Sequence, residues 1–245
     1  MLHRSLALAA VACLLRASPL MAASMYEFGF DSSTYEVQPG ATFTVSVYLY
    51  ETITAGNYSV LANDQIATAG VRISYDASSS ATHPVALASD PNAIQAAPAF
   101  TDETDDQHPT DFVTIYSTPA EFAAGGTGAA NPIAGLDVST YAPIPGTVVA
   151  GSGGQKYAVL IGSVKMTAGD ILGETTVIKA SDLFTNSVNT YTNDPWVGLD
   201  ESPLTIYATT AQITVVPEPS AWIGLSSMTL MAGIFWKIRS RRRKQ

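Results

Sequence analysis

"TFTVSVYLY", residues 42–50, decides how the rest of the chain is read. Phe43, Val45, Val47 and Leu49 are apolar, and Thr44, Ser46 and Tyr48 alternate with them. Successive side chains of an extended strand point to opposite faces, so a period of two predicts a strand with one buried face. A helix would instead return its apolar positions every third or fourth residue. The same period recurs at "GVRISYD" (70–76), "DFVTIYS" (111–117), "KYAVLIGSVKM" (156–166), "ETTVIKA" (174–180), "LTIYA" (204–208) and "AQITVV" (211–216). Turns rich in Gly, Pro, Asn and Asp separate these runs, and the body is expected to be an all-β antiparallel β-sandwich.

Two stretches break the alternation. At "TPAEFAA" (118–124) Thr118 suits a helix cap, Pro119 the first helical position and Glu121 the third, which predicts one helical turn closed by a capping box. Residues 125–154 are rich in Gly, Ala and Pro without clear alternation, and they read as a long surface loop.

Of the chain's 245 residues, those at the two ends belong to a different chemistry. Residues 1–23 hold His3 and Arg4, an apolar run from Leu6 to Leu15, and the small-residue site "LMAAS" (20–24), the pattern of a secretory signal peptide cut near Ala22 or Ala23. Cys13 lies within that signal, so a mature chain starting near Ser24 is expected to contain no disulfide. The large residue expected three positions before a lipoprotein cysteine is replaced here by Ala10, which argues against a lipid anchor at Cys13.

At the other end Ala221 to Trp236 carries no charge over sixteen residues. As a helix it would cover about 24 Å, short of the roughly 30 Å hydrocarbon core. Ile238 extends the apolar face, Lys237 can snorkel, and Trp222 and Trp236 stand where indoles favour the interface. A single transmembrane helix over about 221–238 is therefore expected. Lys237, Arg239, Arg241, Arg242, Arg243 and Lys244 form its cytoplasmic anchor, and the body lies outside.

Eight of the twelve basic residues sit in these end segments. From Ser24 to Val216 there remain four bases against twenty acids, a net charge of −16. So acidic a body repels phosphate backbones, and no nucleic-acid partner is expected.

Pro217, Glu218 and Pro219 stand just before the apolar segment. Two prolines around one residue remove backbone donors and hold an extended conformation, so the tetrapeptide from Val216 should project between body and membrane. The order "VPEP", apolar helix, arginine-rich end (216–245) resembles the PEP-CTERM sorting signal of exported bacterial proteins. That resemblance implies passage through the export machinery and the inner membrane, transient anchoring, and recognition of Pro217-Glu218-Pro219 by a membrane-embedded exosortase. The body would then pass to the cell surface or extracellular matrix.

The body (24–215) resembles cohesin-like and related carbohydrate-binding jelly-roll modules. The resemblance rests on the Pro39-Gly40 turn before "TFTVSVYLY", the Gly70 to Asp76 strand ending in Tyr-Asp, and the late strand rising from Gly173-Glu174. It implies fold more than function, because such modules host protein binding, sugar binding and plain structure. Residues 55–64 and 125–154 depart from the pattern, so dockerin recognition is not carried over.

Candidate chemistry is sparse. The mature chain offers two histidines, His83 and His108, each followed by proline, and no cysteine, nucleophile elbow or metalloprotease motif. No catalytic residue and no cofactor is expected. Asp102, Glu103, Asp105 and Asp106, with Asp111 nearby, form the densest acidic cluster. Two readings stay open for it: a solvated loop, favoured because the spacing is not that of an EF-hand, and a calcium site. Tyr48, Tyr50, Tyr58 and Trp196 are aromatic residues expected near the surface, where flat rings can stack on sugars.

These features converge on an exported, non-enzymatic surface or matrix protein with a structural or adhesive role beside exopolysaccharide. The alternatives are a protein-binding module kept anchored in the inner membrane and facing another surface protein, or, less favoured, a divergent hydrolase.

Overall fold

The computed structural model describes residues 24–54, 56–76, 85–100, 112–118, 132–184, 189–193, 196–200 and 204–218. The segments expected as signal peptide (1–23), transmembrane helix (221–238) and basic tail (239–245), the acidic cluster at 102–106, both proline-linked histidines and all but Thr118 of the expected helical turn lie outside them. Among the described residues no helix is long and apolar enough to cross a membrane.

The described chain is mostly β. Its strands are β1 (Met25–Phe30), β2 (Thr34–Val37), β3 (Thr42–Thr52), β4 (Ile66–Tyr75), β5 (Ala86–Leu87), β6 (Ile94–Ala96), β7 (Phe112–Tyr116), β8 (Pro132–Ile144), β9 (Thr147–Val148), β10 (Lys156–Thr167), β11 (Thr175–Asp182), β12 (Tyr191–Thr192) and β13 (Ile206–Val215). A single turn of helix, α1 (Val60–Asn63), precedes β4.

Hydrogen bonding links the strands in the order β5-β10-β3-β1-β13-β11-β4-β8-β7. The path curls on itself, so β10 packs against β8 and β4 across a shared core. Phe28, Val45, Val47, Leu49, Ile73, Leu136, Ile161, Met166, Ile178 and Ile213 fill that core, each 2 % exposed or less. Burying each such side chain contributes about 1.5–3 kcal/mol, which makes the inward phase of every strand decisive for its register.

The sheet is mixed rather than purely antiparallel. β1 runs parallel to the first half of β13, with Tyr26 beside Ile206, and β2 runs parallel to its second half, with Ile213 beside Tyr35. Residues 31–33 step the chain from one register to the other, and Asp31 secures the step by accepting from Ser46 N at 2.9 Å and Tyr35 Oη at 2.6 Å. On its other side β1 pairs antiparallel with β3.

Beyond the mixed pairing, two further sequence readings need correction. The stretch expected as a loop between 125 and 154 holds β8, thirteen residues that pair with β4 on one side and β7 on the other. Its flanks are Gly- and Pro-rich, but Ala134, Leu136, Val138 and Thr140 do alternate inward and are buried. "LTIYA" and "AQITVV" are one strand, β13, because the intervening Thr209 and Thr210 keep the ladder to Ala180 and Lys179.

Candidate functional site

The strands set two ends. β3 runs from Thr42, beside Thr167, to Thr52, beside Lys156, so these ends lie about 34 Å apart at the rise of an extended chain. The chain leaves the sheet at the Thr42 end. There Val216 N donates to Val37 O at 2.8 Å, and Pro217 and Glu218 follow outside any strand, with Glu218 exposed. These two members of the sequence-predicted processing motif stand directly after the last strand. Pro219 and the cytoplasmic anchor residues lie outside the described chain.

The Thr52 end is built around a carboxylate. Glu51 continues the inward phase of Val45, Val47 and Leu49 and is fully buried. Its oxygens accept from Ser59 Oγ at 2.7 Å, Val60 N at 3.0 Å, Leu61 N at 3.0 Å and Tyr26 Oη at 3.4 Å. Ser59 Oγ also accepts from Ala62 N at 3.1 Å, so residue and carboxylate together satisfy the free N–H groups that open α1. After α1 the chain turns through Gln65 in the left-handed region, φ +60°. A residue other than glycine holds that conformation only where its surroundings fix it. Here Asn193 N donates to both Asp64 O (3.2 Å) and Gln65 O (3.0 Å).

Asn193 belongs to a loop that presents Trp196. Asp200 Oδ2 accepts from Asn189 N (2.9 Å) and Thr190 N (3.2 Å), and Leu199 N donates to Thr190 O (2.8 Å), which closes the loop at its base. Thr192 Oγ1 accepts from Val197 N at 3.1 Å. Trp196 stacks on Tyr191 with ring centroids 4.8 Å apart and is 59 % exposed. Tyr58, equally exposed, donates from its hydroxyl to the Asp64 carboxylate. Through Asp64 and Asn193, Tyr58 and Trp196 therefore belong to one end of the molecule.

Tyr48 and Tyr50 are different. They share the outer face of β3, half-buried and stacked on each other at 5.6 Å, and Lys156 Nζ sits 4.2 Å from the Tyr50 ring centre while bridging Glu27 at 2.6 Å. Burial, with Tyr48, Asp31 and Glu27 nearby, pushes the Tyr50 phenol up to about 12. Rings already engaged in this way cover the sheet. Of the four aromatic candidates, Tyr58 and Trp196 keep open surface, and Tyr191, which no sequence signal distinguished, backs Trp196 by stacking on it.

Sequence reasoning also missed a pair of acids under that loop. Burial first, and then the charge of Asp200, raise the Asp182 carboxyl to about 7, against the opposing pull of the Phe184 N–H and Arg72. Asp137, on β8 beside Gly70, is raised by burial as well. A carboxyl whose folded value lies above its unfolded value binds its proton better when folded, so stability falls as pH rises from about 4 towards 7. Asp182→Asn is expected to flatten that fall and to raise the melting temperature at pH 8, as read by thermal unfolding from pH 4 to 8. A variant retaining the wild-type slope would place the pH dependence elsewhere. Among the described residues no three His, Cys, Asp or Glu side chains gather as a metal site would need.

No protein-family model matches this chain, and no curated protein does. Among solved structures it is similar to the C-terminal domain of the Streptococcus pyogenes antigen I/II-family protein AspA, at 11 % identity and a TM-score of 0.24. That alignment covers 81 % of this chain and 53 % of the other, so the chain spans about half the length of the solved structure it matches. A score that low informs neither fold nor function.

Proposed function

We propose that this chain is an exported, non-enzymatic protein, held in the inner membrane by the segment at 221–238 and cut by an exosortase at Pro217-Glu218-Pro219. Its body then serves a structural or adhesive role at the cell surface or in an exopolysaccharide matrix. The observation that carries this reading is the position of the motif: the last strand ends at Val215, and Pro217 and the exposed Glu218 follow immediately. A processing enzyme needs an extended, accessible peptide beyond the folded body, and two prolines keep the sheet from absorbing it.

In this proposal the body is a cohesin-like β-sandwich, a reading supported by the packing of β10 against β4 and β8. The exposed Trp196 and Tyr58 lie at the end away from the tail, where they would face outward to stack on sugar rings.

The test is the intact mass of the protein recovered from its native host, for wild type and Glu218→Ala. The wild type is expected to lack the C-terminal helix and the variant to retain residues through Gln245. A wild-type mass that still includes Gln245 would overturn processing.

A further inference from the structure

The tail end of the body carries an unexplained apolar tip. The turn between β10 and β11, "AGDILG" (168–173), exposes Ile171 and Leu172 at 62 % and 54 %. Two adjacent aliphatic side chains at the apex of a short turn contribute little to the core.

Their position relates them to the membrane. Gly173 N donates to Val215 O at 2.8 Å, and Val215 N donates to Glu174 O at 3.0 Å, so the turn is hydrogen-bonded to the last residue of the last strand. Gly40 N donates to Gly169 O at 3.2 Å, which fixes the other side of the turn to the Pro39-Gly40 corner. From Val216 only Pro217 to Ser220 precede the segment expected to enter the bilayer. Four extended residues reach about 14 Å at most. An anchored body therefore keeps this end, and no other, at the bilayer surface.

We propose that Ile171 and Leu172 form a membrane-contact tip that seats the body on the outer surface of the inner membrane while the tail is anchored. The occupant is the lipid headgroup and upper acyl region. This inference rests on the anchoring reading above. A tether of four residues supplies an effective concentration of about millimolar, so a two-residue contact too weak to bind vesicles alone suffices once the chain is held. Asp170 and Glu174 flank the tip and keep it from sinking deeper, which matches a shallow contact with zwitterionic lipid. Seating would also fix the distance of Pro217-Glu218 from the bilayer, where a membrane-embedded enzyme must reach it.

The experiment uses the chain from Ser24 to Gln245, the expected form after removal of the signal and free of cysteine, reconstituted in phosphatidylcholine vesicles with spin-labelled lipid. A fluorescent probe is attached at Leu172→Cys, at Ile171→Cys, or at Val148→Cys. Val148 is 55 % exposed and lies at the far end, beside Tyr157. Each labelled protein is checked for flotation with the vesicles and for an unchanged melting temperature. Several-fold stronger quenching at 171 and 172 than at 148 is expected. Flotation with equal quenching at all three sites overturns the tip while leaving the anchor intact. Failure to float overturns the anchor, and the tip falls with it.

Discussion

Replacing Glu51 by alanine is expected to lower the melting temperature by about 6–12 °C. The change removes a buried carboxylate that accepts from Ser59 Oγ, Val60 N and Leu61 N and leaves those donors without it in the interior. Leaving a buried donor unsatisfied costs about 1–3 kcal/mol, so orphaning these three together is set at about 3 kcal/mol, and in a chain of this size each kcal/mol corresponds to about 2–4 °C. Glu51→Gln keeps the volume and one carbonyl oxygen but turns an amide donor towards other donors, so a smaller loss in the same direction is expected. Ser59→Ala removes only the cap and should cost about 1 kcal/mol. Thermal unfolding followed by circular dichroism ranks the three. A Glu51→Ala variant melting within about 2 °C of wild type would mean that water replaces the carboxylate at little cost, which its complete burial argues against.

Glu51 also marks how far the sequence could be read. The alternation from Phe43 to Leu49 predicted β3, and extending it by two residues puts Glu51 in phase with the core. A carboxylate in an apolar phase, followed by a cap residue ahead of Val60 and Leu61, was a legible signal for a buried anchor. Other features left no local trace. The parallel pairing of Tyr26 with Ile206 depends on the two ends of the body meeting, and strand periodicity reports only which face is buried. β8 was hidden because its Gly- and Pro-rich surroundings outweighed a short inward series. At the candidate site Trp196 and Tyr58 were legible as surface aromatics, but their connection through Asn193 and Asp64 was not. The raised Asp182 carboxyl was likewise hidden, because it depends first on burial and then on the nearby charge of Asp200, both of which the fold alone creates.

Gly162→Val is the second substitution expected to have a large effect, about 3 kcal/mol or more, at the upper end of the overpacking range. In β10 an extra residue enters the ladder between Leu160 and Gly162, a β-bulge that puts Gly162 opposite Val47 on the buried face. A Cβ there would stand 2.4 Å from Gln95 O and 2.5 Å from Leu136 Cδ1. Leu136 is a side chain and could rotate. Gln95 O is backbone, and β6 is held to β10 by the pairing of Gly162 with Ala96, by Ala97 N donating to Ile161 O at 2.8 Å and by Lys165 N donating to Ala93 O at 2.7 Å. Even alanine at 162 therefore forces β6 off β10, and valine adds two methyl groups to the same clash. Gly70 supplies the contrast. A Cβ at that position would meet Asn189 Nδ2 at 1.9 Å, a closer approach, but the atom is the end of a side chain and makes no hydrogen bond among the described residues. Swinging the amide aside breaks one long hydrogen bond, from Thr190 Oγ1 to Asn189 Oδ1 at 3.4 Å, and no backbone pairing, so Gly70→Ala should cost about 1 kcal/mol despite the shorter distance. The two alanine variants thus test whether the kind of atom met, rather than the distance, sets the cost. Urea unfolding should rank Gly162→Ala well below Gly70→Ala in stability, and hydrogen exchange at the Ala97 amide should accelerate in the first only. The reverse order would mean that β6 yields more easily than its ladder implies and that the Asn189 loop is the more rigid of the two.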